Sequence, residues 1–239
     1  MTSNNVLLKV EGIDVSYGDF QALRKVKLEV KEGTVVSVIG ANGAGKSTLF
    51  QAISGLQKPS EGKISFMNND ITGCLAHEIV AQGISMVPEG GRVFPGLSVL
   101  ENLIIGSYTK DARKKKTKLL RRTYDLFPIL LEKANQLAGN LSGGQRQMLA
   151  IGRALMSDPK LILFDEVSLG LAPLVVKDIY KQIEAINQEG TTFVLVEQDV
   201  RRSLRASEMS YVMLAGEIVL SGKSSELSEE SVRKAYFGI

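Results

Sequence analysis

Two kinds of hydrophobic spacing divide the chain. In Lys25-Val26-Lys27-Leu28-Glu29-Val30-Lys31 charged and apolar residues alternate strictly, the period of a half-buried antiparallel strand. Just beyond the turn Glu32-Gly33, Val35-Val36-Ser37-Val38-Ile39 is almost wholly apolar, as in a parallel strand buried on both faces. The switch predicts passage from an outer sheet to a central one. The opening runs Val6-Leu7-Leu8-Lys9-Val10 and Ile13-Asp14-Val15-Ser16-Tyr17 suit the outer sheet, and Thr48-Leu49-Phe50-Gln51-Ala52-Ile53 suits a helix. Pro59-Ser60-Glu61-Gly62 reads as a turn, Lys63-Ile64-Ser65-Phe66 as a short strand, and Met67-Asn68-Asn69-Asp70 as another turn.

Residues 75–82 then suit a short helix and Ile84-Ser85-Met86-Val87 a buried strand ended by Pro88. From residue 97 to 139 the pattern turns helical, with Ser98 as N-cap and Glu101 at capping-box spacing. Met148, Ile151 and Leu155 share one face of a later helix, which Asp158-Pro159 stops, and Leu161-Ile162-Leu163-Phe164 is a second continuous apolar strand. Tyr211-Val212-Met213-Leu214 and Glu217-Ile218-Val219-Leu220 flank Ala215-Gly216 as a hairpin, and residues 224–239 read as a peripheral helix. No repeat or low-complexity linker interrupts the sequence, so the helical section is expected to be an insertion in one domain.

Chemistry concentrates where apolar strands end. After Ile39 comes Gly40-Ala41-Asn42-Gly43-Ala44-Gly45-Lys46-Ser47-Thr48, which fits G-x-x-x-x-G-K-[ST] between a strand and a helix. Glycines let backbone N–H groups close on phosphate oxygens, Lys46 can reach β- and γ-phosphates, and the Ser47 hydroxyl can ligate Mg²⁺. A ligand-free glycine turn is the competing reading, disfavoured by the strand and helix on either side. After Phe164 come Asp165 and Glu166, carboxylates at the carboxyl end of a buried strand, where ligands bind in open α/β sheets. There Asp165 can hold Mg²⁺ through water and Glu166 can orient or deprotonate a water. Leu141-Ser142-Gly143-Gly144-Gln145 opens the helix of Met148. On its own it reads as an ordinary cap, at an end that favours an anion.

Composition narrows the class without deciding it. The 239 residues are 44% hydrophobic and 23% charged, with a formal net charge of +3, an ordinary globular balance too mild to argue for nucleic acid. The run Arg113-Lys114-Lys115-Lys116 with Lys118, Arg121 and Arg122 could bind nucleic acid or lipid headgroups. The favoured reading is a solvated helix face backed by Leu120, Tyr124 and Phe127. A single cysteine, Cys74, forms no intrachain disulfide, and its expected use is a small buried side chain. The start lacks the pattern of a signal peptide and no apolar run is long enough to span a bilayer. Work at a membrane would need another chain.

Taken together and in this order, the three motifs resemble the nucleotide-binding subunits of ATP-binding cassette (ABC) transporters, and the resemblance covers essentially the whole chain. It implies a P-loop NTPase fold of class α/β. The core and its N-terminal antiparallel β subdomain would occupy about 1–95 and 150–239, and a helical subdomain about 96–149. It implies an ATPase using ATP and Mg²⁺, with Tyr17 stacked on adenine and the phosphates held by residues 40–48. It also implies a head-to-tail pair of cassettes, homo- or heterodimeric, Ser142, Gly143, Gly144 and Gln145 of one subunit closing on the γ-phosphate held by Lys46 of the other. Integral membrane permease subunits, a periplasmic or extracellular solute-binding protein acting indirectly, and a peripheral seat on the cytoplasmic face of the cell membrane follow from the same likeness.

Three departures sharpen it. Glu89, in Pro88-Glu89-Gly90, stands where the family has glutamine; Gln198, in Glu197-Gln198, stands where it has histidine; Ala172 stands where an aspartate is usual. The chain's only histidine, His77, is expected on a surface helix. These features resemble the ATP-binding subunits of bacterial branched-chain amino-acid importers, with urea and amide importers, or a soluble non-transport ATPase, as alternatives. Gln198 can hydrogen-bond a γ-phosphate but cannot accept a proton at neutral pH, which leaves Glu166 as general base. A carboxylate at Glu89 beside ATP must ligate Mg²⁺ or pair with a neighbour such as Arg92, or else it is an exposed hinge residue.

Overall fold

Strands of alternating and of continuous apolarity fall into separate sheets. In the computed structural model, which describes residues 5–237, the outer sheet is antiparallel. It consists of β1 (Val6–Tyr17), β2 (Phe20–Lys31), β4 (Glu61–Phe66) and β5 (Asn69–Asp70), in the order β2-β1-β4-β5. Along β2 the residues from Val26 to Val30 alternate between core and solvent, as the charge pattern requires. The stretch Met67-Asn68-Asn69-Asp70 differs from expectation: Asn69 and Asp70 pair with Phe66 and Ser65, and only Met67 and Asn68 turn the chain. Both have positive φ, 52° and 65°, the backbone twist that lets a two-residue loop close a hairpin.

The central sheet has the order β10-β9-β3-β8-β7-β6, formed by β3 (Val35–Ile39), β6 (Ile84–Val87), β7 (Leu161–Asp165), β8 (Thr192–Glu197), β9 (Met209–Leu214) and β10 (Glu217–Lys223). Its pairings are parallel except for the β9–β10 hairpin. Every residue of β3, β7 and β8 is buried, which is why those segments lack a polar face. Val36, Val38, Leu161, Leu163, Val194 and Val196 pack toward the outer sheet and helix α1 (Lys46–Ile53). Val35, Ile162, Phe164, Phe193 and Leu195 pack toward the helices on the other face, with the rings of Phe164 and Phe193 stacked 5.5 Å apart.

Those helices are α3 (Val99–Gly106), α4 (Lys110–Lys114), α5 (Lys116–Leu126), α6 (Pro128–Glu132), α7 (Gly143–Leu155) and α8 (Pro173–Gln188). The expected capping box starts α3: the Ser98 and Glu101 backbone N–H groups donate to each other's side chains at 2.7 and 3.2 Å. α2 (Ala76–Gln82) carries His77 exposed to solvent, and Cys74 before it is half-buried against the core. In the basic run, Lys114 pairs with Asp111, Lys115 with Asp158 and Arg122 with Glu189, while Phe127 is buried and Leu120 and Tyr124 are half-buried. α9 (Val200–Ala206) follows β8, and α10 (Glu229–Phe237) lies in the segment read as helical. The last residues of that segment, 238 and 239, and the first residues of the start read for a signal peptide, 1–4, lie outside the described residues.

Candidate active site

Register alone gathers the site. In the parallel ladder Ile39 lies opposite Glu197, Val196 opposite Asp165, and Phe164 opposite Val87. The carboxyl ends of β3, β8, β7 and β6 are therefore neighbours, and each continues into a stretch singled out for its chemistry. These are the glycine loop, Gln198, Asp165-Glu166, and Pro88-Glu89.

Lys46, only 4% exposed, carries its ammonium across the glycine loop. It donates to the carbonyls of Gly40 at 2.8 Å and Ala41 at 2.9 Å, and lies 3.3 Å from the Glu166 carboxylate. A buried cation needs such partners, because desolvation without them would cost several kcal/mol. Gln198 donates its amide to the other Glu166 oxygen at 2.5 Å. Glu166 is thus held at both oxygens, on a backbone at φ 48°, a conformation that non-glycine residues adopt at a cost of order 1–3 kcal/mol and that clusters at functional sites.

The Ser47 hydroxyl donates to Asp165 at 3.2 Å. Burial pushes the Asp165 carboxyl above its usual range; the Ser47 hydrogen bond opposes this, and the charges of Glu166 and Glu89 add to it. Glu89 is exposed, and among the described residues it forms no ion pair. The alternative of pairing with Arg92 is not what the fold does. Instead Glu89 lies near enough for its negative charge to act on Asp165. Ser47 and Asp165 offer hard oxygens side by side, the donor chemistry that suits Mg²⁺ when phosphate oxygens and water complete the set.

Tyr17 ends β1 with its ring 45% exposed, and its hydroxyl donates to Gln51 of α1 at 2.7 Å. That places an exposed aromatic residue against α1, the helix that the phosphate loop opens. Gly45 is a residue no side chain could replace cheaply: φ is 103°, and a Cβ would stand 2.9 Å from Leu23 and 3.0 Å from the Ala22 carbonyl.

The helix tip at Ser142 is built but not joined to this cluster. Ser142 and Gln145 form a reciprocal capping box, at 3.0 and 3.3 Å, and Gly144 lies so close to α8 that a Cβ would meet Val175 at 2.7 Å. No hydrogen bond or ion pair links residues 142–145 to Lys46. Ser142 and Gly143 face solvent.

One partner of the site was not singled out from sequence. Glu197, 2% exposed, accepts hydrogen bonds from Ser168 at 2.9 Å and Tyr180 at 2.7 Å. Its only sequence signal is a carboxylate at the end of an apolar run, where alternation reserves the helix-facing position for Phe193 and Leu195.

Comparison with known proteins identifies the family. Residues 23–168 match the family model described as ABC transporter. The high-affinity branched-chain amino acid transport ATP-binding protein BraG of Pseudomonas aeruginosa is 42% identical over 233 residues, 97% of this chain and 100% of that protein. The ADP conformation of MJ1267, an ATP-binding cassette of an ABC transporter, superposes with a TM-score of 0.80 at 32% identity, covering 97% and 94% of the two chains. A dimeric post-hydrolysis state of the cassette MJ0796 bound to ADP and Pi gives 0.77 at 30% identity, covering 91% and 99%. The chain belongs to the ABC transporter family, as one of its ATP-hydrolysing subunits.

Proposed function

We propose that the chain energises import of branched-chain amino acids, as half of a pair of cassettes that closes on ATP and reopens after hydrolysis. The single observation that carries the mechanism is the set of contacts around Glu166. Lys46 is anchored to that carboxylate at 3.3 Å and Gln198 to its other oxygen at 2.5 Å. A γ-phosphate entering the glycine loop is a stronger anion than a single carboxylate and draws Lys46 to itself. Glu166 then loses its cation while Gln198 keeps it aimed, so phosphate binding itself frees the carboxylate to meet an attacking water. Tyr17 supplies a face for adenine, and backbone N–H groups of residues 40–48 cradle the phosphates.

Ser47 and Asp165 would hold Mg²⁺, with Glu89 facing the same region in the closed state. Bound there, the ion neutralises phosphate charge and orients the oxygens. Ser142, Gly143, Gly144 and Gln145 cap the γ-phosphate of the partner copy. This is supported by their separation from Lys46 within one chain and by the dimeric MJ0796 structure. Because closure gains only from contacts made in the closed state, these cross-copy bonds are what ATP must supply.

Transport needs a membrane partner, since no helix among the described residues is long and apolar enough to cross a membrane. Phe94, Ile104, Ile105 and Tyr108, each 38–48% exposed on or beside α3, offer an apolar face for permease subunits on the cytoplasmic side. An external solute-binding protein would act through those subunits. The cargo rests on the likeness to BraG and on the Glu89 and Gln198 replacements.

Glu166→Gln tests the assignment. Turnover should fall by about 10²–10⁴, the usual worth of positioned proton transfer, while ATP binding survives and ATP holds two copies together in size-exclusion chromatography with light scattering. Full turnover in that variant would defeat it.

A further inference from the structure

We infer that Glu197 is a positioning residue for hydrolysis, its buried carboxylate tying the loop after Glu166 to the strand end that carries Gln198. The inference rests on the ATPase reading above and deepens it. In β8 the side chains of Phe193 and Leu195 enter the helix-facing core and Val194 and Val196 the opposite one, so Glu197 occupies a position where an apolar side chain would suffice for packing. A carboxylate 2% exposed is costly there. It is accommodated by two hydroxyl donors, Ser168 at 2.9 Å and Tyr180 at 2.7 Å, one to each oxygen, and by no ion pair among the described residues.

The links form a ring. Ser168 follows Glu166 by two residues, Ser168 bonds Glu197, Glu197 precedes Gln198, and Gln198 bonds Glu166 at 2.5 Å. Glu166, Ser168, Glu197 and Gln198 also line one cavity of about 170 Å³ with Leu169 and Gly170. Leu169 is 51% exposed and Gly170 has φ 72°, so the loop protrudes just beyond the bond to Glu197. Displacement of that loop is transmitted through Ser168 and Glu197 to the amide that aims Glu166. Tyr180 anchors the same carboxylate to α8 and resists the displacement from the other side.

The test compares purified chains in steady-state ATP hydrolysis, ATP binding and thermal melting. Ser168→Ala and Glu197→Gln are each expected to lower kcat about tenfold, as loss of one aligning hydrogen bond would. ATP KM and affinity should stay within about twofold of wild type. Ser168→Thr, which keeps the hydroxyl, should recover most of the loss. The double variant should be no slower than the worse single one, because both cut one link. Tyr180→Phe should lower the melting temperature more than it lowers kcat. Unchanged kcat in Ser168→Ala and Glu197→Gln, additive losses, or losses that merely track melting temperature would overturn the inference. If Glu197→Gln does not fold, the Ser168 pair of variants decides alone. Absence of hydrolysis by the wild-type chain would instead remove the ATPase reading, and this inference with it.

Discussion

Two helix N-termini carry the motifs of this cassette, and they are finished in opposite ways. α1 starts after Gly45 in a left-handed conformation, with no side chain capping it. α7 starts after Ser142 inside a complete capping box. A helix start leaves several N–H groups without intrahelical partners, and a partial positive charge gathers there. At α7 the chain supplies its own acceptors, so the tip keeps its shape alone and presents an exposed hydroxyl. At α1 no side chain does this, which leaves room for an anion in the proposed reading, and the buried Lys46 donates to nearby carbonyls. On the proposed reading, one end would hold phosphate and the other would arrive at it ready-made.

Substitutions should separate the two ends. Lys46→Ala is expected to have the largest effect, weakening ATP binding by the single chain about 100-fold, the worth of a charge-assisted contact. Calorimetric titration would show it, and undiminished affinity would erase the distinction. Gly45→Ala strains a backbone at φ 103° and crowds Leu23 and Ala22. It should cost about 1–3 kcal/mol in denaturant unfolding. Ser142→Ala removes a cap worth about 1 kcal/mol. It should leave ATP affinity of the single chain unchanged while slowing turnover, so a loss of affinity would mean that α7 serves its own chain.

The smallest effect should be in pH. Burial raises the Asp165 pKa, so the folded chain holds that proton more tightly than the unfolded one. The associated stability is fully present below the ordinary carboxylate value and fades as pH rises through the raised one. Melting curves from about pH 4 to about pH 8 should show that decline, and Asp165→Asn should flatten it. α7 itself carries no carboxylate.

What could be read from the sequence depended on whether function or packing set the pattern. The glycine loop, Asp165-Glu166 and Ser142–Gln145 were legible because phosphate chemistry fixes residue types at fixed spacing. The continuous strands were legible because burial on both faces excludes polar residues. α8 has an equally plain stripe, Val176, Ile179, Ile183 and Ile186, but no chemistry directed attention to it. The short β5 was hidden, since Met67 and Asn68 adopt positive φ without a glycine to announce it. Glu197 was hidden for another reason: its partners Ser168 and Tyr180 lie 29 and 17 residues away, and only the fold brings them together.

Three of the four sheet rims have a further consequence. β5 is two residues long, β6 is four, and the long rim strand β2 turns Lys25, Lys27, Glu29 and Lys31 outward. Short or charged rims are poor templates for another chain's strand, which protects against aggregation by sheet extension. In the proposed cycle, where two cassettes meet and part at each turnover, such rims disfavour an association by strand pairing that would be slow to release.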